Sequence, residues 1–207
     1  MTEIAETKID KSSWGEGPWQ HEPDRKEWRD AATDLPCLAV RHDESGHWCG
    51  YVGVTEGHPA YHVHYDGVTP EAAKRRSARV MRQMRAVKKL TDGGVSYGDA
   101  IEKVWGKGAS SEPEIVCDLS GISVHGGLTY AAECSGRVFH TPAPGETDKV
   151  WWFGFDCAHC DDLSPGTRAL LRSLGHDREV SDVYRTLEYV EFECTSLARQ
   201  LAEMQKA

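Results

Sequence analysis

Two short stretches concentrate the residue types that do chemistry. Asp156, Cys157, His159, Asp161 and Asp162 follow directly on the apolar run Val150 to Phe155, and His125 precedes Gly126 and Gly127 within the run Ile122 to Tyr130. Imidazole transfers protons near neutral pH, and a carboxylate beside it orients the ring or shares a metal ion with it. His125 and His159 are therefore the expected acid–base pair, with Asp156 as the third catalytic group. Alternatively, Asp156, His159 and Asp162 are ligands of a divalent metal that activates water and offsets phosphoryl charge. The chain has neither H-E-x-x-H nor H-x-H-x-D-H, so that metal is suggested by the cluster's composition and not by a motif.

Cys157 beside His159 also has the makings of a thiol nucleophile, but neighbouring aspartates oppose the lowered pKa this needs. Cys157-x-x-Cys160 with two of Cys37, Cys49 and Cys134 would make a structural zinc site, although a single C-x-x-C is weak evidence for one. Glycine inside a strand-like run marks a bulge or a close approach to the backbone. Gly126 and Gly127 are thus expected to offer their amides to a ligand, with Tyr130 beside them. His47 and Tyr51, on one face of a second apolar run, form a possible pocket wall. Trp152 is a candidate for stacking on a base, and Arg82 for clamping or steering an anion. Each has a plainer alternative: a packed aromatic, a kinked strand or a solvated charge.

Strand-like runs must carry these groups to a common rim. Val150 to Phe155, aromatic and apolar throughout, predicts a buried strand that ends where the acidic cluster begins. Leu35 to His42 and His47 to Val54 predict a hairpin with Gly46 in its loop, and alternation puts Trp48, Gly50, Val52 and Val54 on one face. Thr69-Pro70-Glu71 opens an amphipathic helix, with Ala73, Ser77, Val80, Met84 and Val87 expected on its buried side. A short helix over Ser96 to Val104 follows. Asp24 to Ala31 has the charge pattern of a short helix, Arg137 to His140 that of a short strand, and Thr167 to Leu174 that of another helix. Val183, Leu187, Val190, Cys194, Leu197, Leu201 and Met204 predict a long C-terminal helix capped by Ser181 or Asp182. Trp14, Trp19 and Trp28 predict an N-terminal arm packed on the body. The fold class expected is α+β: a curved antiparallel sheet of about five strands on the C-terminal helix. Residues 1–13 are expected to be flexible and 14–207 to form a single domain, with 67–113 a helical insertion.

A chain of 207 residues can bury a proper core. No run approaches the roughly 18 apolar residues of a membrane span, and the charged start Met1 to Asp10 does not read as a secretory signal. Seven scattered cysteines point to reduced thiols in a cytoplasm. Glu71 to Leu90 holds eight Lys or Arg and one Glu, so +7 falls in a chain of net charge −9 and −16 is left elsewhere. One basic helix on an acidic body is too narrow a footprint for broad nucleic-acid binding, so nucleic acid is an unlikely partner. The basic helix or the C-terminal helix is the expected contact in any oligomer.

W-x-x-E-P-D (Trp19 to Asp24), G-H-W-C-G-Y-V-G-V (Gly46 to Val54), V-H-G-G-L-T-Y (Val124 to Tyr130) and W-W-F-G-F-D-C-A-H (Trp151 to His159) resemble a family of small bacteriophage and prophage proteins. The resemblance implies an accessory protein in the host bacterial cytoplasm, where countering host defence is a common task. It transfers no established activity. The reading that follows is a hydrolase or phosphodiesterase acting on a nucleotide-type small molecule through His and Asp. The alternatives are a sponge that sequesters such a messenger without turnover, and a zinc-stabilised interaction protein.

Overall fold

The computed structural model describes residues 8–106, 114–142, 145, 149–176 and 181–206. In chain order these form β1 (Arg25–Arg29), β2 (Pro36–Arg41), β3 (Trp48–Thr55), α1 (Pro70–Asp92), α2 (Tyr97–Trp105), β4 (Tyr130–Glu133), β5 (Val150–Asp156), α3 (Pro165–Ser173) and α4 (Leu187–Met204). The strands make one antiparallel sheet in the order β1-β2-β3-β5-β4. With α4 across one face, the architecture is the expected α+β.

The composition of β5 follows from its place between β3 and β4. Trp151, Phe153, Phe155 and Cys157 face α4, where they join Trp48, Val52 and Val54 and meet Val190, Cys194, Leu197 and Leu201. Val150 and Trp152 point the other way, into a second cluster with Leu38, Val40 and Val138. A strand covered on both faces reads as continuously apolar. The approach of α4 is close at Gly50, where a Cβ would stand 2.4 Å from Phe155 Cζ and 2.9 Å from Cys194 Sγ. The β2–β3 loop closes with Gly46 N–H donating to His42 O, and Gly46 adopts a φ of 79° there.

In the N-terminal arm, Ile9, Trp14 and Trp19 are buried together, with Leu163, Ala169 and Tyr184 packed on them. Lys11 Nζ donates to Trp19 O and Glu22 O and pairs with Asp24 Oδ1 at 2.6 Å. The later part of the segment expected to be flexible is therefore fastened, while residues 1–7 lie outside the described residues.

Several expected elements differ. Asp24 to Ala31 contributes β1, not a helix: Arg25–Arg29 pairs with β2, and the Arg25 side chain donates to Arg137 O and Phe139 O. The run Ile122 to Tyr130 is extended only at its end, because Gly126 and Gly127 both take positive φ (65° and 86°) and turn the chain. The strand expected over Arg137 to His140 is reduced to a single bridge between Ser135 and Val138. α4 begins at Leu187 with Thr186 as its cap, so Val183 falls outside the helix and is exposed. α1 keeps its predicted Thr69 cap, but only Ala73 and Val87 are buried along it; Val80 and Met84 are exposed because, among the described residues, α1 packs on α2 and no strand covers its middle.

Candidate active site

His125 and His159 come together, with ring centroids 5.5 Å apart in an edge-to-face arrangement. Asp162 lies between them. Its Oδ2 is 2.7 Å from His125 Nε2 and accepts the His159 backbone N–H at 3.1 Å, while its Oδ1 accepts from Arg185 Nε at 2.8 Å. The side chains of Asp162 and His125 are 1% and 12% exposed and that of His159 is 36% exposed, so His159 forms the opening of the site.

Local backbone explains each placement. Asp161 turns the chain with a φ of 70° and sends Asp162 inward. A strap at Val183 locks that turn, with Val183 N–H donating to Asp161 O and Leu163 N–H donating to Val183 O, and it brings Arg185 alongside. The loop before β4 is stapled to α4. Ser123 exchanges two hydrogen bonds with the Gln200 side chain, His125 N–H donates to Glu193 Oε2 at 2.9 Å, and His125 Nδ1 lies 2.9 Å from Tyr189 Oη. Gly126 then passes directly beneath the second ring; a Cβ there would stand 2.0 Å from His159 Cε1.

Burial acts to raise the Asp162 pKa, but hydrogen bonds from Arg185, His125 and the His159 N–H more than offset it, and the carboxyl is held below its ordinary value. Asp162 is thus a fixed anion behind both rings. His159 Nδ1 is buried without a hydrogen-bond partner, with Asp156 Oδ1 and Asp162 Oδ2 each 3.8 Å away. Among the described residues, His125, His159 and Asp162 are the one group of three whose ligand atoms lie close enough to share a metal, within 4.8 Å of one another.

The remaining expected site residues are placed as follows. Asp156 borders the trio, held by Thr129 Oγ1 at 3.0 Å and by the Ala158 N–H; it stands beside the trio, where Asp156, His159 and Asp162 had been the expected ligands. Gly127 N–H donates to Val124 O and closes a turn, so it is not available to a ligand. His47 immediately precedes β3, with Nδ1 2.8 Å from Ser45 Oγ and its ring stacked on His42. Burial, and then His42, drive its pKa down to about 4, with the Asp156 and Asp162 charges opposing from the site. Tyr51 and Tyr130 pack edge-to-face on the sheet face opposite α4. Trp152 is fully buried there with Nε1 on Cys134 Sγ, and a sealed indole cannot stack on a ligand. Arg82 is on the exposed side of α1, in a helix that packs on α2 and not around the histidines.

The thiol readings fare differently from the imidazole ones. Burial, and then Asp162, push the Cys157 thiol well above its ordinary value, which disfavours the thiolate a nucleophile requires. Its proposed zinc partner Cys160 is exposed, while Cys157 itself is part of the core.

Tyr189, Glu193 and Arg185 were not anticipated from the sequence. The spacing of Tyr189 and Glu193 carries a signal, since residues four apart share a helix face, whereas Arg185 precedes the Thr186 cap of α4 and follows the Val183 strap. Arg185 also lies over the Tyr189 ring, 5.0 Å from its centroid. No family model, curated protein or solved structure matches the chain.

Proposed function

We propose that the cluster of His125, His159 and Asp162 is a hydrolytic centre that cleaves a phosphodiester in a nucleotide-type small molecule. The observation that carries this reading is the convergence of two imidazoles on one buried, arginine-anchored carboxylate. Water becomes a nucleophile when a positioned group takes its proton, and imidazole nitrogens provide lone pairs for that work near neutral pH. His159 presents its ring at the opening, and His125 stands behind it. Asp162 fixes the pair, and Asp156 supplies a second carboxylate at the rim. Arg185 and Tyr189 add a cation and a hydroxyl beside the same centre, groups that suit a phosphoryl oxygen.

The resemblance to phage proteins favours a nucleotide messenger of bacterial immunity as the substrate, with the protein acting in the host cytoplasm. The test is to incubate the protein with a panel of cyclic and linear oligonucleotides, denature it and identify what is released by mass spectrometry. The proposal expects a cleaved product. A ligand returned intact would make the protein a sequestering binder instead, and failure to retain or change any member of the panel would contradict the substrate class.

A further inference from the structure

We infer that His125, His159 and Asp162 bind one divalent transition-metal ion of the zinc class. The inference rests on the reading of this cluster as a hydrolytic centre and names the group that activates water there.

Geometry supports the ligand set. A tetrahedral ion with bonds of about 2.0–2.1 Å holds its ligand atoms roughly 3.4 Å apart. His125 Nε2 and His159 Nδ1 lie 2.7 and 3.8 Å from Asp162 Oδ2, values that bracket this spacing. The ligand atoms of all three residues lie within 4.8 Å of one another, close enough to share one centre.

The orphaned nitrogen is the second observation. His159 Nδ1 is buried and has no hydrogen-bond partner, and a buried polar atom left without a partner costs stability. It lies 3.8 Å from Asp162 Oδ2, and an ion between them would use its lone pair.

Outer contacts complete the argument. Metal-binding imidazoles hold their far nitrogen in a hydrogen bond, and metal-binding carboxylates are themselves hydrogen-bonded. Once an ion replaces the proton on His125 Nε2, Nδ1 carries the proton and donates it to Tyr189 Oη, 2.9 Å away. Asp162 divides its oxygens, Oδ2 toward the ion and Oδ1 toward Arg185. Two imidazoles and one carboxylate leave a coordination position open, the pattern of catalytic rather than structural sites. The nitrogen-rich set favours zinc, cobalt or iron over calcium or magnesium. Water held in the open position would lose a proton near neutral pH, with Asp156 3.8 Å from the His159 ring nitrogen.

The experiment uses the full chain, freed of metal with a chelator and then titrated with Zn2+ by calorimetry and with Co2+ by visible absorption. One equivalent is expected to bind, with cobalt ligand-field bands, no thiolate charge-transfer band and a raised melting temperature. His159→Gln and Asp162→Asn should each weaken binding at least about 100-fold. The His159 variant is decisive because its partly exposed ring can be replaced without opening the core, and its metal-free melting temperature is the folding control. Absence of stoichiometric binding would overturn the inference, as would a thiolate band or undiminished binding in the His159 variant. Hydrolysis by chelated, metal-free protein would overturn it while leaving the proposed function standing. Ion binding without cleavage of any phosphodiester would do the reverse.

Discussion

At the scale of single residues, the site depends on a glycine as much as on its histidines. Gly126 combines a left-handed backbone with contact beneath the His159 ring. Gly126→Ala should cost roughly 1–2 kcal/mol from the left-handed conformation alone. Because the new methyl must push the ring aside, turnover should fall about 100-fold; chemical denaturation and initial rates read the two effects separately. His47 makes a pH prediction. Its folded pKa of about 4 lies below its ordinary value, which is about 6.5 in an unfolded chain, so between these values the unfolded state binds the extra proton. Its contribution to stability is complete above the upper value, is lost as pH falls through this window and changes no further below it. Melting temperature against pH should be flatter in this range for His47→Gln than for the native protein. The convergence of His125 and His159 was legible because one precedes a glycine pair in a strand-like run and the other lies in the acidic cluster where an apolar run ends. Arg185, Tyr189 and Glu193 were not, since a sequence read for its apolar stripe treats the flanks of a helix as solvated.

At the scale of elements, the N-terminal arm and α4 are joined through Glu22. Its carboxylate accepts from Arg41 at 2.7 Å, Trp48 Nε1 at 3.2 Å, the Tyr184 hydroxyl and the backbone N–H of Leu187 at 2.9 Å, the first residue of α4. Burial acts to raise its pKa, but these donors prevail and hold the carboxyl low. Arg41 is fully buried beneath it and keeps Asp24 as a second partner. Glu22→Ala should therefore cost roughly 3 kcal/mol, measured by denaturant unfolding, with hydrogen exchange accelerated in the first turn of α4. β5, the β2–β3 hairpin and the cap of α1 were legible, because periodicity and capping residues act locally. β1 was not: Arg-Lys-Glu-Trp-Arg has no apolar alternation and becomes a strand only because the edge of β2 is there to pair with. The start of α4 was misplaced for a similar reason. Val183 continues the apolar spacing, yet its backbone is committed to Asp161 and Leu163.

At the scale of the whole molecule, one sheet and one helix form the rigid part, and the α1–α2 pair is attached to it sparingly. Val80, Met81 and Met84 are exposed along α1 and the helix packs on α2, whereas Val190, Cys194, Leu197 and Leu201 of α4 are wholly buried against the sheet. Opening free energy follows buried apolar contact, so amides in the middle of α1 should exchange at least about 10-fold faster than those of Val190 to Leu201, as read by native-state exchange and mass spectrometry. The arrangement keeps the site on the rigid part, since α4, the β5 end and the Val183 strap hold every member of the His125–His159–Asp162 cluster. The most direct test of the proposed hydrolytic centre is phosphodiester turnover by the native protein and by His125→Ala and His159→Ala, measured alongside their melting temperatures. The account predicts that both variants lose turnover by at least about 100-fold while unfolding within about 1–2 kcal/mol of the native protein. Turnover that persists in a folded His159→Ala variant would contradict it.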